Sequence, residues 1–168
     1  MKNCTYFVEG ECEQKLLNAI KQNPSMIKPG KVRVFNVTQN KLKNSHLISI
    51  SEGYVVFVFD TDRNDTKYLE TNISKVRTTC PSKVKLLFLV QVPNLEQELV
   101  IATDVKKISE LTSSRSTKDF KTDFLALKDC RATLEKHSFD ITKMWRQRIP
   151  NGFQLVSEQG IEVLIKDK

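Results

Sequence analysis

No CxxC or CxxH pair occurs among the four cysteines, Cys4, Cys12, Cys80 and Cys130, and zinc fingers or thioredoxin-like redox motifs require such spacing. No apolar run reaches the ~18 residues of a membrane span. The opening MKNCTYFVEGECE turns acidic at once and has no long apolar stretch, so no signal peptide is expected. Reduced thiols in a cytoplasmic protein are the simplest expectation. The chain has five glycines, and none builds a Walker A loop, a GxSxG elbow or a dinucleotide fingerprint. P-loop ATPases and α/β-hydrolases are thereby set aside. Internal repeats, low-complexity tracts and linkers are also missing, so 168 residues predict one domain spanning the whole chain.

What is present is charge and alternation. Lys and Arg number 27 against 20 Asp and Glu, a net charge of +7. Such a surplus favours polyanions, nucleic acid first among them; it is also an ordinary solubility margin. Short apolar runs alternate with helical patterns, the signature of a mostly parallel α/β sheet. Strands are predicted at Cys4 to Val8, Lys31 to Val37, Tyr54 to Phe59 and Lys85 to Val92. The runs YVVFVF and KLLFLVQV read as central strands buried on both faces.

Helices are predicted over Glu11 to Asn23, from a cap at Asn64 or Asp65 to Thr79, and from an Asn94 cap over Leu95 to Thr103. Lys41 to Ser51 reads as a short helix or loop. The last third, residues 104–168, is predicted as a mainly helical extension: Lys106 to Leu111, Thr117 to Lys136 and Asp140 to Gln147. Phe153 to Val156 and Ile161 to Ile165, flanking Glu158-Gln159-Gly160, read as a β-hairpin. Trp145, the only tryptophan, is read as a core anchor ahead of a base-stacking platform.

Two acidic motifs follow predicted parallel strands: Glu9-Gly10-Glu11-Cys12-Glu13 after CTYFV, and Asp60-Thr61-Asp62 after YVVFVF. Open α/β sheets bind ligands in the crevice outside the carboxyl ends of their strands. If the two strands are neighbours, Glu9 and Asp60 share that crevice. Carboxylates gathered this way repel, and one takes up a proton unless a cation neutralises them. Hard oxygen donors without His or Cys select Mg²⁺, Mn²⁺ or Ca²⁺ over zinc. Blander roles exist for some of these acids. Glu11 and Glu13 suit a helix's first turn, and Asp62 and Asp65 suit turns or caps. Asp60 and Glu9 are harder to place that way, because each ends an apolar strand.

A strand ending in Glu-Gly, a helix, then a buried strand ending in Asp-x-Asp resembles the TOPRIM domain of topoisomerases, bacterial primases and OLD nucleases. Glu9-Gly10-Glu11-Cys12-Glu13 resembles a shortened form of the EGExxE-like start of the RloB-like branch, and Pro93-Asn94-Leu95-Glu96 loosely resembles that branch's Asn-Pro-x-Phe-Glu stretch. The resemblance covers Cys4 to Thr103, a core of residues 1–103. It implies a four-stranded parallel sheet with helices on both faces, and a metal-dependent nuclease or related phosphotransfer enzyme. It implies Glu9 as general base or acid or as ligand of a second ion, Asp60 and Asp62 as holders of Mg²⁺ or Mn²⁺, Glu96 as a further ligand and Glu13 in support. It also brings in a role in phage defence, a partner ATPase used by some relatives, and self-association as a homo-oligomer.

The OLD-type nucleases add a basic residue to their site, for which Lys106, Lys107, Arg115 and Lys118 are the candidates. Together with Arg146 and Arg148 these cations are the expected nucleic-acid contacts, since phosphodiester chemistry needs the polyanion steered and its charge offset. A non-catalytic nucleic-acid-binding or partner-docking subunit that keeps the fold is the alternative expectation.

Overall fold

The continuous apolar runs of the sequence become the middle of a sheet. In a computed structural model, which describes residues 4–63, 66–156 and 159–165, the strands are β1 (Cys4–Val8), β2 (Gly30–Val34), β3 (Gly53–Asp60) and β4 (Val84–Gln91). They form one four-stranded sheet in the order β2-β1-β3-β4, and every pairing is parallel. Every residue of β3 before Asp60 is buried, as a strand covered on both faces requires. The α/β architecture with helices on both faces is therefore as the alternation predicts.

Side-chain alternation splits the core into two layers. Tyr6, Val56 and Leu89 point to the layer filled by Leu16 and Leu17 of α1 (Glu11–Ile20). Phe7, Phe57 and Phe88 point to the other, filled by Leu69, Ile73 and Val76 of α3 (Lys67–Thr79). A short α2 (Asn44–Leu47) lies between β2 and β3. The rest of the helices are α4 (Leu95–Ala102), α5 (Ile108–Leu111), α6 (Phe120–Ala126), α7 (Cys130–Lys136) and α8 (Ile161–Ile165). Through Leu99, Phe120, Phe124, Leu134 and Ile161 they share the α1 layer. Trp145 is fully buried there, a core anchor and not a stacking platform.

Several boundaries differ from the sequence reading, each for a local reason. β2 stops at Val34 because Asn36 Oδ1 accepts the backbone N–H groups of Thr38 and Gln39 and turns the chain. The helix expected over Thr117 to Lys136 is two, α6 and α7: Leu127 leaves helical geometry, and Asp129 caps α7 by accepting from Ala132 N at 2.9 Å. Asp140 to Gln147 contains only a 3₁₀ turn, Ile141–Lys143. Thr66 stands at the N-cap of α3; Asn64 and Asp65 lie outside the described residues. No helix among the described residues is long and apolar enough to cross a membrane.

The C-terminal β-hairpin is not formed. Asn151–Phe153 is a 3₁₀ turn and Ile161–Ile165 is helical, while Glu158 lies outside the described residues. The free edge of β4 is satisfied another way. Gln159 accepts from Val90 N and donates to Val90 O, both at 2.8 Å, and Gly160 N donates to Phe88 O at 2.6 Å. A side-chain amide and one backbone N–H thus stand in for a strand and cover an edge that would otherwise pair with another chain. This approach requires a glycine, since a Cβ at residue 160 would lie 2.9 Å from Leu87 Cβ and 3.0 Å from Phe88 O. Gly160→Ala is expected to lower stability by ~1–3 kcal/mol, the usual cost of overpacking. An unchanged urea midpoint would contradict it.

Candidate active site

Strand order creates the site before any side chain is considered. From β1 the chain crosses to β2 on one side, and the next strand, β3, returns to the other side of β1. That reversal is a topological switch point, where the connections leave a crevice at the carboxyl ends. Glu9 follows β1 and Asp60 ends β3, so the two acids flank the switch point.

β1 ends at Val8, opposite Val58, and the backbone N–H of Asp60 therefore reaches beyond it. Glu9 supplies the missing acceptor: its Oε2 takes the hydrogen bond from Asp60 N at 3.1 Å. Glu13, on the first turn of α1, folds back toward Gly10, and a Cβ on Gly10 would lie 3.2 Å from Glu13 Oε2. Glycine at this position leaves room for the carboxylate. Asn94 caps α4 through Gln97 N at 3.1 Å and so sets Glu96 on the opposing wall. Glu9, Glu13, Asp60 and Glu96 line one cavity of about 260 Å³.

The electrostatics follow from this crowding. Burial first, then the charges of Glu13, Glu9, Asp62 and Glu96, push the Asp60 carboxyl up to about 8. Burial likewise raises Glu13, against the pull of backbone N–H groups at Gly10 and Glu13. Asp60 Oδ1 is cut off from solvent and has no hydrogen-bond donor among the described residues. Asp62 is exposed; it does not line the cavity and acts on Asp60 through its charge.

Of the cations expected from the sequence, none lines this cavity. Lys106, Lys107, Arg115 and Lys118 are exposed in and around α5 and ahead of α6. Arg146 is ion-paired with Glu162, and Arg148 lines a separate hollow with Pro150 and Gln159. The cation that does reach the acids is Lys121, whose ammonium lies 3.3 Å from Glu96 Oε1. Burial favours its neutral form, but Glu96, Asp60 and Glu13 outweigh that and hold it above its ordinary value. Nothing local in the sequence distinguishes Lys121 from its neighbours. It becomes visible only when Phe120 and Phe124 bury one face of α6 and turn the helix toward α1.

The motif reading also passes over Gln91. It pairs with Asp60 across β3 and β4, is fully buried, and neither its amide oxygen nor its nitrogen meets a partner among the described residues. Register places it on the same face as Asp60. A neutral amide there adds dipoles to the site without adding charge.

The donors suit a hard divalent cation. Every charged side chain facing the cavity except Lys121 offers carboxylate oxygen, and Asp60 Oδ1 is an acceptor without a donor. Cys12 also lines the cavity, but burial and then Glu13 push its thiol up to about 11, so it offers no thiolate to a soft metal. As they stand, no three His, Cys, Asp or Glu side chains among the described residues are drawn together as a metal cage. Compared with protein-family models, with curated proteins and with solved structures, the chain finds no match.

Proposed function

We propose that this chain is a Mg²⁺- or Mn²⁺-dependent nuclease, or a related phosphotransfer enzyme, acting on DNA or RNA in the cytoplasm, as its TOPRIM-like, RloB-like motifs imply. The observation that carries the reading is the contact between the two acidic strand ends: the Glu9 carboxylate holds the Asp60 amide at the switch point, with Lys121 across the same cavity. Asp60 and Glu96 would hold the cation, with Asp62 and Glu13 adding charge nearby. When bound, the ion supplies Lewis-acid polarisation of a phosphoryl oxygen. Glu9, at the cavity wall, is the group to take a proton from an attacking hydroxyl or water. Lys121 leaves Glu96 to offset phosphate charge.

Glu9→Gln and Asp60→Ala should each abolish Mg²⁺-dependent cleavage of single- or double-stranded substrates. Unchanged cleavage by either would end the assignment. Lys121→Ala should lower kcat by about 10²-fold, the scale of losing one transition-state donor. The same change should tighten Mg²⁺ binding in calorimetry, because it frees Glu96.

The second reading is a non-catalytic nucleic-acid-binding or partner-docking module. It is favoured by the hydrogen bond that already gives Glu9 a structural task. Divalent binding without turnover on any nucleic acid would select it.

A further inference from the structure

Beside the acidic cavity lies a second depression of about 530 Å³, walled by α1 on one side and by the turn joining α6 to α7 on the other. Glu11 and Leu125 line both hollows, so the two adjoin, and a ligand lying in the groove would end beside the acidic cavity.

The groove is fixed in shape. Lys15 donates to the carbonyls of Leu125 and Leu127 at 2.6 and 2.5 Å, tying the turn to α1 across a long stretch of chain. The α1 side of the groove carries Gln14 and Asn18, four residues apart and hence stacked on one helix face, and the exposed Gln22 follows in the turn just past the helix end. Among the described residues, none of these three amides is engaged by a side-chain hydrogen bond. The facing wall carries Lys128, exposed, and Arg131, which gives its Nε–H to Glu135 at 2.7 Å.

Three amides, each able to donate and accept, line the groove together with Lys128 and Arg131, with the carboxylates of Glu11 and Asp129 also on its walls and the acidic cavity adjoining. Mixed donors and acceptors match nucleobase edges, and the cations match phosphates. Base edges are free for such contacts in single strands. The volume is that of a small-molecule site, enough for a nucleotide. We infer that this groove holds the nucleotides on one side of the scissile phosphate of a single-stranded polynucleotide. The Gln14–Asn18–Gln22 stripe meets the bases, and Lys128 and Arg131 meet the backbone. This assignment rests on the reading of the acidic cavity as a phosphodiester site.

The test uses the full chain and a short fluorescent single strand of mixed sequence, in DNA and RNA forms. Anisotropy in Ca²⁺ reports binding, and cleavage is followed separately in Mg²⁺. Gln14→Ala, Asn18→Ala and Gln22→Ala together should weaken binding by about tenfold or more. The melting temperature should hold, because alanine is the best helix former at Gln14 and Asn18 and Gln22 is exposed beyond the helix end. Lys128→Ala should reduce the dependence of log affinity on log salt by roughly 0.7, one phosphate contact to a single strand. Native affinity in both variants overturns the groove and leaves the nuclease reading intact. Groove-dependent binding with no cleavage by the native chain keeps the groove and removes the nuclease reading. Binding of duplex as tight as that of single strand overturns the inference.

Discussion

Asp60→Asn is expected to abolish metal-dependent stabilisation and cleavage while leaving the metal-free chain more stable than the native one. Metal ligands and function account for the first half. Loss of an outer partner of a metal site alone costs ~10–100-fold, so loss of a ligand should cost more. The second half follows from linkage. The Asp60 carboxyl titrates near 8 in the fold, against about 3.9 in an unfolded chain. Between those values the native state holds a proton that the unfolded state has released, and stability falls as pH rises.

That loss is complete above pH 8 and absent below pH 4. Asparagine removes it, at an expected gain on the order of a few kcal/mol at pH 8, with little difference at pH 4. Thermal melts in EDTA across this range, native against variant, measure the gap directly. A gap that does not widen with pH would mean that burial and the acidic neighbours do not hold Asp60 protonated. Added Mg²⁺ should then raise the melting temperature of the native chain and leave that of Asp60→Asn where it is.

Glu9 and Asp60 were legible because each sits where a strand stops. CTYFV is a short β-rich run and YVVFVF a continuous apolar one, and a charge directly after such a run has left the core at a strand's carboxyl end. Which strands are neighbours was open, and the parallel pairing of β1 with β3 supplies that. Lys121 and Gln91 were not legible, for opposite reasons. Lys121 is one lysine among many on a polar face, selected by how α6 lies against α1. Gln91 interrupts an apolar strand, a signal that points to a buried polar group without naming its neighbour.

The hairpin failed where alternation was weakest. Phe153, Val156, Ile161 and Leu164 turn inward, three residues apart in each pair as in a helical turn, whereas a strand's alternation would have turned Leu155 and Val163 in with Phe153 and Ile161. They do so from a 3₁₀ turn and a helix, because Gln159 and Gly160 already satisfy the edge of β4.

The largest expected loss of stability belongs to Glu98, which the motif reading passed over. It lies on α4 with its side chain fully buried. Oε1 accepts from Val92 N at 3.2 Å and Oε2 from Trp145 N at 2.7 Å. Burial raises its carboxyl above the ordinary value, and those two N–H groups pull it back. A buried charge replaced by a hydrophobe is often harmless when its partner is replaced too. Here the partners are backbone amides and cannot be. Glu98→Leu leaves two buried donors unpaired at ~1–3 kcal/mol each, a drop of roughly 5–15 °C in melting temperature for a chain of this size.

Glu98→Gln keeps one acceptor and removes the burial cost of a charge, so its loss should be smaller. The glutamine should also flatten the decline in stability that begins as pH rises above the ordinary carboxyl range, because the raised Glu98 keeps its proton longer in the fold than out of it. Val92 leads through Pro93 into the cap of α4, and Glu96 stands on that helix's first turn. Loosening Glu98 should therefore weaken Mg²⁺ binding as well, although Glu98 does not line the cavity. If Glu98→Leu melts with the native chain, the carboxylate is not what ties α4 and Trp145 to the end of β4.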